Sequence, residues 1–185
     1  MPVRYYKYDK PFALENGERL PELQIAYHTY GKFKGNNAIW VCHALTANSD
    51  VADWWPRTVE QGRFLDPRRY YVVCANVIGS HYGSTGPLSL NPATGKPYYG
   101  SFPFITVRDM VNAHLLLADH LGVGSVRAVI GSSIGGFQAL EMALARPGFA
   151  ERLALIATAA RSQPWTIAFN AVSYTHLRAH ETKAN

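Results

Sequence analysis

Val126-Arg127-Ala128-Val129-Ile130-Gly131-Ser132-Ser133-Ile134-Gly135-Gly136 decides the architecture of this 185-residue chain. A short β-branched run reaches Gly-x-Ser-x-Gly, and a helix-like pattern follows at once. That order (strand, sharp turn, helix) lifts one serine, here Ser133, above the end of a parallel sheet, where it serves as a nucleophile. Gly131 and Gly135 lack a Cβ, which lets the turn tighten and the helix start press on the strand; Gly136 extends this permissive stretch. The helix start also aims backbone N–H groups at the space above Ser133, where negative charge develops during acyl transfer. Phe137, Leu140, Met142 and Leu144 recur in the Ala-rich stretch that follows, and Arg146-Pro147-Gly148 stops it. The bland alternative is a tight strand–helix connection without chemistry. A phosphate-cradling loop fits less well, because no Lys follows the glycines and Gly-x-Gly-x-x-Gly spacing is absent.

Outward from this segment the chain alternates between strand-like and helix-like patterns. Residues 23–30 alternate apolar and polar, as a half-buried strand does. Residues 38–43 and 70–77 are nearly continuous apolar runs, as expected of central strands covered on both faces. Residues 126–130 form the strand leading into the Ser133 turn, and residues 153–157 are a further strand. Helix-like patterns fall between the middle strands, which predicts a parallel α/β sheet. The clearest helix covers residues 107–121, with Thr106 as its cap, Asp109 in the capping-box position and Gly122 closing it. His114 lies on or beside its apolar face and reads as a core histidine. Residues 78–105 are dominated by Gly, Ser, Pro, Asn and Tyr; a loop this long with such aromatic content predicts an ordered, binding-competent segment.

A nucleophile in this arrangement needs a second backbone N–H for its oxyanion, supplied by the loop after an earlier central strand. His43-Ala44-Leu45-Thr46 follows such a strand directly. The N–H groups of Leu45 and Ile134 are therefore the two candidate donors, each worth about 3 kcal/mol of transition-state stabilisation. His43 is close by, but the triad histidine of this arrangement arrives late in the chain, so His43 is assigned to loop structure.

Bulk properties narrow the function further. The length suits one domain with a substantial core. The net charge of +5 is spread along the chain without a Lys/Arg block, so nucleic acid is not indicated as a partner. No stretch is long and apolar enough for a membrane span, and the N-terminus has no signal-peptide core; a cytoplasmic location is expected. Cys42 and Cys74 lie in strand-like runs without metal-ligand spacing and read as buried, reduced thiols.

Several separated motifs now converge. His43-Ala44-Leu45-Thr46, Asn76-Val77-Ile78-Gly79-Ser80-His81-Tyr82-Gly83-Ser84-Thr85-Gly86-Pro87, Asn91-Pro92-Ala93-Thr94-Gly95-Lys96-Pro97, Thr106-Val107-Arg108-Asp109-Met110-Val111 and the Ser133 turn resemble the homoserine O-acetyltransferases. The resemblance extends over about residues 12–170. It implies an α/β-hydrolase fold, with a parallel-rich central sheet flanked by helices. It also implies transfer of an acetyl group from acetyl-CoA onto Ser133 and then to the hydroxyl of L-homoserine, a step of methionine biosynthesis. Leu45 and Ile134 would be the oxyanion donors. A cytoplasmic homodimer with no metal and no permanently bound cofactor is implied, with acetyl-CoA as a substrate.

The chain departs from the family pattern after Asn170. Family members continue into a Gln- and Arg-rich helix, a lid and final strands that carry the triad Asp and His and a substrate-binding Arg. Here residues 172–185 read as a non-native, adapter-derived tail, leaving residues 1–171 as the N-terminal part of the catalytic domain. On this reading the fold is incomplete at its C-terminus, the chain alone is inactive, and His176 and His180 have no role. Homoserine O-succinyltransferase, serine O-acyltransferase and an α/β-hydrolase esterase keep the same chemistry and are the alternatives, with a non-catalytic interaction domain as the reading from a different class.

Overall fold

The apolar runs of the sequence become neighbouring strands of one sheet. The structure, a computed structural model, describes the backbone of residues 1–181 and the side chains of residues 1–172. In chain order its elements are β1 (Arg4–Tyr8), β2 (Phe12–Ala13), β3 (Arg19–Leu20), β4 (Leu23–Tyr30), β5 (Ala38–Cys42), α1 (Val51–Trp54) and β6 (Tyr71–Ala75). There follow β7 (Leu90–Asn91), β8 (Lys96–Pro97), α2 (Val107–His120), β9 (Ala128–Ser132), α3 (Ile134–Ala145), β10 (Leu153–Ile156) and α4 (Pro164–Glu181).

The main sheet has the order β1-β4-β6-β5-β9-β10. Strands β6, β5, β9 and β10 are parallel, while β4 at one side runs antiparallel to both its neighbours, β6 and β1. Trp40 of β5 lies opposite both Val73 and Val129, so β5 is central and every one of its residues is buried. Its two faces feed two cores. Trp40 and Cys42 join Val73, Val129 and the inner faces of α2 and α3. Ile39 and Val41 pack with Val51, Val59 and Leu65 on the other face.

Helix α2 starts where the capping pattern places it: Thr106 accepts from the Asp109 N–H, and the Asp109 carboxylate accepts from the Thr106 N–H at 2.9 Å. Gly122 follows at φ 69, a left-handed conformation that suits a residue without a Cβ.

Four expectations need correction. Strand β4 has the expected bounds but is buried almost throughout instead of on one face. The loop after β6 continues alongside it: Ala26 N–H donates to Ser84 Oγ at 3.0 Å and Gln24 N–H to Thr85 Oγ1 at 2.7 Å. The crossover from β5 to β6 holds only the single turn of α1 where a helix is expected, because Pro56, Gly62 and Pro67 break any longer one. Asp66, buried in that crossover, accepts from the N–H groups of Gly62 and Arg68 and fixes the turns instead. In α3, Met142 is buried as expected, but Leu144 is exposed and the inner face is Gly135, Gly136, Gln138 and Ala139. Small residues there let the helix approach the sheet closely. The elbow strand begins two residues late, at Ala128, with Val126 making a lone bridge to Ala150.

Candidate active site

Strand β5 is the point where the strand order switches. The chain moves from β5 to β6 on one side and later to β9 on the other. In open parallel sheets, ligands bind in the crevice at the carboxyl ends of the strands flanking such a switch. The two loops singled out in the sequence, after β5 and after β9, both leave from those ends.

Ser133 sits between β9 and α3 with φ 54 and ψ −120. A non-glycine residue at positive φ is uncommon, and such strain concentrates at functional sites. The surrounding glycines explain how the turn is achieved. A Cβ on Gly131 would lie 2.0 Å from the Gly135 carbonyl oxygen. One on Gly135 would lie 2.2 Å from the Cys42 carbonyl oxygen and 2.9 Å from that of His43. Only glycine therefore allows the start of α3 to rest on the end of β5, which sets Ile134 beside the loop carrying Leu45. The end of β10 and the segment after it hold Ser133 from the other side: its N–H donates to the Ile156 carbonyl at 3.1 Å, and its carbonyl accepts from Thr158 Oγ1 at 3.0 Å.

Of the three residues nominated from sequence, Leu45 and Ile134 share one cavity, and Ser133 opens on another. The cavity of Leu45 and Ile134 measures about 590 Å³. Its walls are largely apolar, with Val77, Ile78, Phe102, Phe104 and Met110 among them. Ser133, the residue before Ile134, opens on a separate cavity of about 360 Å³ lined also by Phe137, Thr158 and Thr166. Much of the larger cavity comes from residues 78–105, which the sequence marked as a binding loop; a short β7–β8 hairpin and a 3-10 turn at Tyr99–Ser101 give it order.

His43 begins the loop after β5. Its Nδ1 donates to the Ala44 carbonyl at 2.8 Å, and its Nε2 accepts from the Val77 N–H at 3.3 Å. Those two bonds define one neutral tautomer, and burial pushes the ring further from protonation. With both nitrogens engaged by backbone, His43 is a loop anchor. The remaining histidines of the described body have other positions. His28 Nδ1 lies 2.8 Å from Ser49 Oγ, His81 packs on Tyr82, His120 stacks on Tyr6, and His114 is buried against Trp40. The side chains of His176 and His180 lie outside the described residues.

Cys42 and Cys74 are buried and free, and burial pushes the Cys42 thiol up to about 12. A thiol so far from ionisation is no nucleophile, which leaves Ser133 as the candidate. Sequence reasoning missed Thr158, which braces Ser133; no motif marks it, because the contact spans 25 positions and arises only from the sheet.

Comparison with known proteins agrees with this geometry. The profile of the alpha/beta hydrolase fold family matches residues 37–179. The homoserine O-acetyltransferase of Moorella thermoacetica is 49% identical over 182 residues, covering 92% of this chain and 49% of its own length. That of Carboxydothermus hydrogenoformans is 47% identical over 172 residues, covering 86% and 45%. Among solved structures, esterase E22 superposes with a TM-score of 0.81 at 31% identity, covering 90% of this chain and 50% of that one. The homoserine O-acetyltransferase from Bacillus anthracis gives 0.80 at 29%, covering 89% and 49%. The chain spans about half the length of the curated relatives it matches. With a switch-point crevice, a serine strained between β9 and α3, and a family profile covering both loops of the site, this chain belongs to the α/β-hydrolase fold family.

Proposed function

We propose that the full-length protein moves an acetyl group from acetyl-CoA to the hydroxyl of L-homoserine through an acyl-Ser133 intermediate. The observation that carries this reading is the 42–49% identity to homoserine O-acetyltransferases across about nine-tenths of the chain. In the first half-reaction Ser133 Oγ attacks the thioester carbonyl. Its proton passes to a histidine contributed by the part of the relatives' length beyond this chain. The oxyanion rests on the Leu45 and Ile134 amides, and the CoA sulfur leaves with the proton. In the second, the homoserine hydroxyl attacks the acyl carbon, its proton goes to the same histidine, and Ser133 is restored as the ester leaves.

Acetyl is preferred to succinyl as the donor group because the matched relatives are named homoserine O-acetyltransferases. The same reading makes the protein a cytoplasmic homodimer serving methionine biosynthesis. Among the described residues, no helix is long and apolar enough to cross a membrane.

Likeness to esterase E22 favours a second reading, in which water takes the acyl group. One experiment separates them. The full-length protein is incubated with acetyl-CoA and L-homoserine, with succinyl-CoA and L-serine as competitors, and the products are resolved. O-acetylhomoserine is the expected product, with Ser133→Ala lowering its rate by about 10⁴-fold or more. Acetate alone would make the protein an esterase, and full activity in Ser133→Ala would remove Ser133 from the chemistry.

A further inference from the structure

The loop that carries Leu45 is held at both ends by two consecutive residues, Asn76 and Val77, just past β6. At its start, His43 Nε2 accepts from the Val77 N–H at 3.3 Å. At its far end, the Ser49 N–H donates to Asn76 Oδ1 at 2.7 Å. The other half of the same side-chain amide faces the opposite wall: Asn76 Nδ2 donates to the Tyr82 carbonyl at 2.8 Å. Tyr82 and Leu45 line the same cavity. Asn76 is itself fixed through its backbone. Its N–H donates to the Ala26 carbonyl at 2.8 Å, and its carbonyl accepts from Ser84 Oγ at 2.6 Å. The residue is buried, and every polar group it has is engaged.

The residue type is dictated by its partners. One is a backbone N–H and the other a backbone carbonyl, so a single orientation of a primary amide satisfies both. A carboxylate satisfies only the first and sets a charge against the Tyr82 carbonyl. An alanine leaves the buried Ser49 N–H and the partly buried Tyr82 carbonyl without these partners.

We propose that Asn76 is a positioning residue for acyl transfer: its side-chain amide braces the Leu45 loop against the Ile78–Tyr82 wall and so fixes the Leu45 amide relative to Ile134. The inference rests on the reading of Ser133 as the acylated nucleophile. It acts through Leu45, so its effect belongs to the transition state and not to substrate affinity.

The test uses the full-length protein, with active sites titrated by a fluorophosphonate that labels Ser133. Asn76→Ala is expected to lower kcat by about 10- to 100-fold, the range reached by misplacing an oxyanion donor. The KM for homoserine stays within about twofold, and the inhibition constant of a trifluoromethyl-ketone transition-state analogue rises by the same factor as kcat falls. Asn76→Asp keeps the acceptor for the Ser49 N–H and loses the donor to the Tyr82 carbonyl, so its kcat should fall with KM unchanged as well, and it serves as the second variant if Asn76→Ala fails to fold. Unchanged kcat and analogue affinity per titrated site overturn the inference. Failure of the unmodified protein to be labelled at Ser133 overturns the acyl-enzyme reading instead.

Discussion

At the scale of single residues, local chemistry and distant contacts were unequally legible. Ser133, Ile134 and Leu45 are visible in the sequence because the constraint on each is local: two glycines around a serine, and a loop directly after an apolar strand. Asn76, Thr158 and the tautomer of His43 are not, because each depends on a partner 25 or more positions away that it meets only through the sheet. His114 falls between these cases, placed by helical spacing in the core but with consequences that only its surroundings reveal. It is fully buried against the Trp40 ring, and burial, with His43 beside it, pushes its pKa down to about 3. An unfolded histidine takes its proton near pH 6.5. Between these values the unfolded state binds the extra proton, so stability is complete above about pH 6.5 and drains away as pH falls. At pH 5.5 the loss from His114 alone is about 1.4 kcal/mol. His28 and His43, also shifted down by burial, act in the same direction. Urea unfolding at pH 7.5 and 5.5 should show this loss, and His114→Phe should show less of it. An identical pH slope in the variant would assign the effect to other groups.

Among the elements, α2 shows where a local signal is right and yet incomplete. The Thr106–Asp109 capping box follows from four residues of sequence. Asp109, however, is fully buried and also accepts from the Glu15 N–H at 2.8 Å, a contact spanning 94 positions that ties the end of the β2 segment to the helix. The two cap residues should therefore differ in cost. Thr106→Ala loses one cap and is expected to destabilise by about 1 kcal/mol. Asp109→Ala leaves the Thr106 and Glu15 N–H groups without acceptors and should cost about 2–4 kcal/mol, given about 1.5–3 for a hydrogen bond to a charged group. Urea midpoints at pH 7.5 measure both, and equal losses would mean that Asp109 acts only as a cap. The crossover to β6 gives the converse lesson. Its apolar residues fit a helix by composition, but Pro56, Gly62 and Pro67 impose turns, and the hydrophobic pattern alone carries no information about backbone breaks.

For the whole molecule, the two edges of the sheet are built differently, and this governs how the chain behaves by itself. Strand β1 carries Arg4 and Lys7 beside its tyrosines, the kind of charge that discourages edge-to-edge pairing. Strand β10 reads Leu-Ala-Leu-Ile, has no charge, and among the described residues pairs only with β9. Leu153, Leu155 and Ile156 remain about two-fifths exposed, and Leu144 of α3 and Trp165 of α4 add further exposed apolar surface. An uncharged, apolar edge is a template for pairing with another chain. The 185-residue chain expressed alone should therefore associate with increasing concentration, and Leu155→Lys should return it toward monomer in chromatography with light scattering. In the full-length protein the same substitution should act in the opposite sense. If the relatives' additional length covers β10, a lysine placed there is buried without a partner and lowers stability by a few kcal/mol. A monomeric wild-type chain near 100 µM, on the order of the concentrations at which exposed edges aggregate, would mean that β10 is protected within these residues. A full-length protein indifferent to Leu155→Lys would mean that the rest of the protein packs elsewhere.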